Sequence, residues 1–416
     1  MANRRNMANR RNTTKRRNIA ALATASLALV AAACTTAGPA PLPPAVTTTT
    51  VPAGYPTTPT GDDQLRLNQL QLVGTHNSYH IAPEQQVLDT LKNAAGAFPQ
   101  FAGALGNPNS LNYTHASVPQ QLARGIRTFE FDIWADPTGG RFAKPLLEQL
   151  PGFADPQLPA GLDQPGFKVL HVADVDWRTQ CVSLQLCLGQ IRTWSDAHPG
   201  HLPVIINLEL KSDSLPAPLV GTPVLPFDGP MMDAVDAELR TAVGDRLITP
   251  DDVRGGAADL RTAVSTTGWP TIAASRGKVL FFMDNESLRS TYLAGHPTLE
   301  NRVMFTSSGE GQPDGAILKV NDPGDGTRIA GLVQQGYIVR TRSDADSVQA
   351  WANDHAQADT ALASGAQIVH TDYPVGEPYA ANGYQVALGL PVQGRCNPVT
   401  TTAATCAQAA VVEPAP

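Results

Sequence analysis

Charge is scarce in this sequence. Only 16% of its 416 residues are Asp, Glu, Lys or Arg, and aromatic residues make up 6%. With 42% hydrophobic residues the chain can bury a large core, and its composition excludes wholesale disorder. Basic character is scarcer still: the net charge is −7, and the seven Arg/Lys and no acid of residues 1–18 leave −14 on the rest. An acidic body of that kind excludes nucleic acid as a partner. No apolar run reaches the roughly 20 residues that a spanning helix needs. The longest, residues 19–33, falls short, so the mature chain is not expected to cross a membrane.

That short run has a specific context. Basic residues precede it between positions 4 and 17, and Ala31-Ala32-Ala33-Cys34 follows, so residues 1–34 read as an export signal. The small residues before Cys34 resemble a bacterial lipoprotein cleavage site, with Cys34 as the lipid attachment point; an ordinary signal cut near Ala33 is the alternative. The opening hexamer occurs twice, which makes Met7 a second candidate start. Only four cysteines remain, Cys181, Cys187, Cys396 and Cys406, and an even number in an exported chain suits disulfides. Three connectivities exist; near-neighbour pairing, 181 with 187 and 396 with 406, is expected. Neither pair has CxxC spacing or supporting histidines, which argues against zinc.

Residues 35–63 and 398–416 are rich in Thr, Pro and Ala without hydrophobic periodicity, and are expected as a linker and a flexible tail. Residues 64–397 between them form one expected domain. Eight β-rich runs occur there, at 70–75, 126–133, 167–171, 204–210, 278–283, 302–306, 337–341 and 367–371. Helical patterns at 84–97, 188–197, 231–243 and 344–364 separate several of them. Eight strand-then-helix units predict an α/β fold, a single TIM-type (β/α)8 barrel. An open doubly wound sheet is the alternative. Polar residues gather at the strand ends, where barrel enzymes keep their chemistry: His76, Glu130 and Asp132, His171, Glu209 and Lys211, Asp284, Arg340 and Arg342, Asp372 and Tyr373.

In Phe129-Glu130-Phe131-Asp132 the two-residue period of a strand puts both carboxylates on one face and both rings on the other. Two buried acids so close repel unless a cation or an Arg/Lys neutralises them. Glu209 adds a third carboxylate and Asn77 a neutral carbonyl. These are hard oxygen donors without thiolate, which suits Ca²⁺ ahead of Mg²⁺. A lone Glu-x-Asp strand is usually a solvated face, and lone histidines are usually structural. On that reading His80, His115, His198, His201, His296 and His355 are structural or surface residues, and His370 points outward or packs. Lys211 is equally readable as the ion-pair partner of Glu209.

At these residues the chain resembles the calcium-dependent phosphoinositide-specific phospholipases C of bacteria and fungi. The matching segments are Gly74-Thr75-His76-Asn77-Ser78-Tyr79, Arg124-Gly125-Ile126-Arg127 leading into Glu130-Phe131-Asp132, then His171, Glu209-Leu210-Lys211 and Thr371-Asp372-Tyr373-Pro374. The resemblance covers most of residues 65–390. It implies a TIM-type barrel, His76 and His171 as catalytic histidines, and Asn77, Glu130, Asp132 and Glu209 as calcium ligands. Lys211, Arg340, Arg342 and Tyr373 are then candidates to meet the phosphate or the inositol ring. The implied substrate is a phosphoinositide lipid, reached by an exported monomer held peripherally at a membrane or by a lipid on Cys34. Apolar stretches at 98–113 and 215–227 are candidate membrane-facing loops. A glycerophosphodiester phosphodiesterase is the nearest alternative, but its His-Arg-Gly opening is replaced here by His76-Asn77-Ser78. A non-catalytic surface barrel binding inositol lipids or glycans is the alternative outside enzymes.

Overall fold

The computed structural model describes residues 59–150, 152–154, 156–215, 221–388, 393–402, 405–406 and 411–414, apart from residues 98–106. Cys34, the leader and most of the linker lie outside them, as do parts of both candidate membrane loops. Eleven strands are present among the described residues: β1 (Leu70–Thr75), β2 (Thr128–Asp136), β3 (Gly166–Val169), β4 (Val204–Lys211), β5 (Leu247–Ile248), β6 (Val279–Met283), β7 (Met304–Thr306), β8 (Ile317–Lys319), β9 (Ile338–Arg342), β10 (Ile368–Thr371) and β11 (Arg395–Cys396). Every β-rich run read from the sequence overlaps one of them. Most are buried on both faces, as strands covered by helices must be.

The strands form two sheets in a mixed α/β fold. One runs β11-β1-β10-β9-β8; the other runs β3-β2-β4-β6-β5, with β7 also on β6. A single TIM-type barrel was expected; the described strands form two sheets, which touch at two places. At one, Ser307 bridges Ile317 in parallel. At the other, β1 and β2 lie side by side without a ladder, and the contact is made by Ser78, whose N–H donates to the Glu130 carbonyl at 2.9 Å. Its hydroxyl accepts from the Glu130 N–H at 2.8 Å. Gly74 is required at this seam, because a Cβ there would collide with the Thr128 carbonyl and methyl group.

One strand differs in role from the expectation. β3 pairs antiparallel with β2, Ile133 opposite Val169, so it is an extension on the edge and not one of the parallel set. β2 is nine residues long and overshoots its parallel partner, leaving an edge for the returning chain. β8, only three residues long and embedded in polar loops, takes a place among the parallel strands. The helices behave more simply. Leu184–Ala197 starts at Ser183, which accepts from Leu186 N–H, and buries Leu184, Leu188 and Ile191 on one stripe. Gly229–Val243 is capped by Asp228 and ends at Gly244, whose φ of 62° stops it. The helical pattern at 344–364 is broken into Val348–Ala352 and Ala356–Ala363 by Asn353, at φ 52°.

Both near-neighbour disulfides form, Cys181–Cys187 and Cys396–Cys406. The tail is not free. Val411 and Val412 are buried, and Glu413 accepts from Arg127 Nε at 2.6 Å and from Leu202 N–H at 2.7 Å. Three consecutive residues are held against the body of the protein, which lack of periodicity could not reveal. Phe227, read as part of a membrane-facing loop, is instead buried and stacked on Phe167 with ring centroids 6.0 Å apart. Among the described residues no helix is long and apolar enough to cross a membrane.

Candidate active site and metal centre

Parallel register brings the acids together. Glu130 stands opposite Asn207 and Asp132 opposite Glu209 across β2 and β4. Phe129 and Phe131 pack into the core on the other face, as the strand period requires. Glu130, Asp132 and Glu209 each offer an oxygen within 4.8 Å of the other two. Two cations neutralise the group from opposite sides. Arg340 Nη2 donates to Glu130 Oε2 at 2.5 Å, and Lys211 donates to Glu209 Oε1 at 3.1 Å while lying 3.2 Å from Asp132 Oδ2.

The two acids of β2 respond oppositely. Burial alone would raise Glu130, but Arg340, His76 and His370 hold its carboxyl well below the usual range. Burial pushes Asp132 well above its ordinary value; Lys211 opposes this, while Glu209 and Glu130 reinforce it. Neither Asp132 oxygen accepts a well-directed hydrogen bond, and the buried Oδ1 atoms of Asn77 and Asn207 have no partner either. Buried polar atoms are rarely left so. A set of unpaired, buried, oxygen-only acceptors beside three carboxylates fits Ca²⁺, whose ligands are carboxylates and amide carbonyls.

Each expected catalytic imidazole is oriented through Nδ1 by a buried carboxylate. His76 Nδ1 donates to Asp372 Oδ1 at 2.7 Å, while Arg342 donates from Nη1 to His76 Nε2 at 3.1 Å and from Nη2 to Asp372 Oδ2 at 3.1 Å. His76 Nε2 is also 3.5 Å from Glu130 Oε1, which places the imidazole against the acid group. Burial opposes ionisation of Asp372, yet Arg342 and His76 keep it far below its ordinary range. His171 follows β3 and donates from Nδ1 to Asp176 Oδ2 at 2.8 Å. Burial lowers His171, Lys211 and His80 lower it further, and Asp176 opposes them.

Several residues depart from their sequence reading. His370, expected outward or packed, faces the acids: Nδ1 lies 3.0 Å from Glu130 Oε2 and Nε2 2.6 Å from Thr128 Oγ1. It shares a strand face with Asp372, two residues on, so the inward direction was there to be read. Tyr373, expected against a sugar ring, is 4% exposed, and its hydroxyl donates to Ser347 at 2.8 Å. Arg340, expected at the phosphate, is 2% exposed and committed to Glu130 and Asn321. Arg342 and Lys211 keep part of their surface open. Asp372 carries no role in the sequence reading beyond its place at a strand end, His80 reads there as structural or surface and is buried, and Asp176 has no reading at all. Asp176, five residues after His171 and reaching back to it, carries no motif that would announce it.

The model of the family described as phosphoinositide phospholipase C, Ca²⁺-dependent, matches residues 65–398. The chain belongs to that family, and it is a phosphodiesterase of the phospholipase C class with calcium as its cofactor. Among solved structures it is similar to a calcium-dependent phosphoinositol-specific phospholipase C from Pseudomonas sp., at 16% identity and a TM-score of 0.48, over 82% of this chain and 99% of that one. A Ca²⁺-dependent phosphatidylinositol-specific phospholipase C from Streptomyces antibioticus is 17% identical, with a TM-score of 0.45 over 74% and 95% of the two chains. No curated protein matches.

Proposed function

We propose that the enzyme cleaves phosphatidylinositol-type lipids by internal attack of the inositol 2-hydroxyl on phosphorus, releasing diacylglycerol and an inositol phosphate, cyclic, opened to the 1-phosphate, or both. One observation carries this reading: two imidazoles, each held through Nδ1 by a buried carboxylate, stand beside an oxygen-only acid group. The two sheets are read as the two arcs of one TIM-type (β/α)8 barrel, with the site at the carboxyl ends of its strands.

Asn77, Glu130, Asp132 and Glu209 would hold calcium. When bound, the ion supplies positive charge that acidifies a hydroxyl and offsets charge building on phosphate. Glu209 is the better base for the 2-hydroxyl proton, because Arg340 holds Glu130 in its ionised form with little pull on a proton. Arg342 turns from His76 toward a phosphoryl oxygen, and His76, its Nδ1 still on Asp372, donates from Nε2 to the same group when that nitrogen carries a proton. His171, entering this step as an imidazolium with Nδ1–H on Asp176, gives its Nε2 proton to the departing glycerol oxygen and is left neutral. Lys211 meets a phosphate or ring oxygen from the acid side.

The chain is read as an exported monomer that meets the bilayer peripherally or through a lipid on Cys34. Phosphatidylinositol and glycerophosphoinositol, each incubated with and without calcium, discriminate the readings. Calcium-dependent release of diacylglycerol supports this one; cleavage of glycerophosphoinositol alone supports a glycerophosphodiesterase. His76→Ala and His171→Ala are each expected to slow lipid cleavage by roughly two to four orders of magnitude. Undiminished turnover in either variant overturns its assignment.

A further inference from the structure

Three loops that follow neighbouring strands enclose a cavity that no role assigned so far uses. The strands are β1, β10 and β9, adjacent in that order in one sheet. Asn109 and Asn112 come from the segment after β1, Trp351 from the one after β9 and Tyr379 from the one after β10; together they line a space of about 270 Å³. It lies beside the reaction centre and not in it. The Tyr379 ring is 5.5 Å from that of Tyr373, which is 6.3 Å from that of Tyr113, whose hydroxyl accepts from Asn77 Nδ2 at 3.2 Å.

The walls are set before a ligand arrives. Trp351 sits on the short helix Val348–Ala352, bracketed by two left-handed residues, Ser347 at φ 60° and Asn353 at φ 52°. Such backbone persists only where its surroundings enforce it. Here the loop after β10 clamps the helix twice: Ser347 Oγ accepts from the Tyr373 hydroxyl at 2.8 Å, and Asn382 Nδ2 donates to the Ala350 carbonyl at 2.7 Å. On the opposite wall, Asn107 Oδ1 accepts from the Asn109 N–H at 3.1 Å and holds the turn that carries Asn109.

The lining selects the occupant by its chemistry. Among the described residues that line the cavity there is no Lys, Arg or His to meet a phosphate, and no Asp or Glu to meet a cation. Two amides offer donors and acceptors, Trp351 Nε1 a donor and Tyr379 a hydroxyl. None of these four side chains spends a polar atom on another described residue. Both aromatic rings keep part of their surface open. An acyl chain would cover all these polar groups and satisfy none. A neutral ring with hydroxyls at its rim and an apolar face satisfies both kinds of surface.

We propose that this cavity is a subsite for a pyranose sugar, whose apolar face Trp351 and Tyr379 take and whose hydroxyls Asn109 and Asn112 bond. The sugar is either carried on the inositol ring of the lipid substrate or part of a separate glycan that holds the enzyme near its lipid. The first source rests on the cleavage reading above; the subsite itself does not.

Saturation-transfer NMR titrations of the protein with the methyl pyranosides of glucose, galactose and mannose test the subsite without any turnover. At least one should bind saturably, with a Kd of roughly 1 mM. Trp351→Ala should weaken that binding roughly ten-fold. Asn112→Ala, at an exposed position where folding is little affected, should weaken it roughly three- to ten-fold. No saturable binding of any of the three, or binding that both variants leave unchanged, overturns the proposal. Phosphatidylinositol with and without a hexose on its inositol ring, in mixed micelles with calcium, then identifies the source. A kcat/KM advantage for the glycosylated lipid that Trp351→Ala removes puts the sugar on the substrate. Equal kcat/KM, with glycoside binding intact, supports the separate glycan. If neither lipid is cleaved while the glycoside still binds, the subsite stands and the cleavage reading fails.

Discussion

The acids on β2 and β4 and the imidazoles beside them are built on opposite rules. Each imidazole has its Nδ1 tied at 2.7–2.8 Å to a buried carboxylate. Asp132, by contrast, has two buried oxygens without a directed hydrogen bond, and Asn77 and Asn207 leave theirs unpaired as well. Tied groups have one orientation before any substrate arrives. Untied oxygens are costly to bury and gain only when a cation enters. The protein stores orientation on one side and unmet coordination on the other.

The two sides meet at the seam between β1 and β2, so the strongest way to break the comparison is to part them there. Gly74→Ala puts a methyl group into the Thr128 carbonyl. The backbone of one strand must shift, since neither contact is the end of a flexible side chain. The expected cost is about 3 kcal/mol, read by denaturant melts, together with loss of lipid cleavage. A variant as stable and active as the parent would show that β1 and β2 can separate without disturbing the site.

Calcium sharpens the comparison next. Only a side with unmet coordination should gain from the ion. At free calcium about a hundred times its Kd, the unfolding free energy should rise by roughly 2.7 kcal/mol. Asp132→Ala should abolish most of that gain, and His171→Ala should keep it. Equal behaviour of the two variants in thermal melts with and without a chelator would erase the distinction between the sides.

How much of this could be read beforehand follows the same division. The strand alternation of Phe129-Glu130-Phe131-Asp132 gave the acid face directly, because a period of two is local. Every β-rich run overlaps a strand for the same reason. What escaped was set by contacts distant in sequence. His370 turns inward to reach Glu130, 240 positions away, and Arg340 is spent on the same carboxylate. The antiparallel course of β3 depends on where β2 ends relative to β4, which no periodicity records. Glu413 docks on Arg127, 286 positions earlier, so a tail that reads as featureless is pinned. Tyr373 sits in a matching segment, but its hydroxyl goes to Ser347.

The tied side carries its own, smaller test, in pH. Asp176 is brought from its ordinary 3.8 to about 2 in the folded chain, so the folded state binds fewer protons there than the unfolded one over that interval. Stability from this carboxylate is then fully present above about pH 4 and is lost as pH falls through about 2; it amounts to roughly 2 kcal/mol. Asp176→Asn should be less stable than the parent by about that much at pH 7 in calcium-free buffer. The gap should narrow as denaturant melts are repeated from pH 4 toward pH 2.5, because the parent loses what the variant never had. A gap that stays constant with pH would mean that Asp176 acts through shape alone. The imidazoles would then be held by packing, and their likeness to charge-oriented rings would be only geometric.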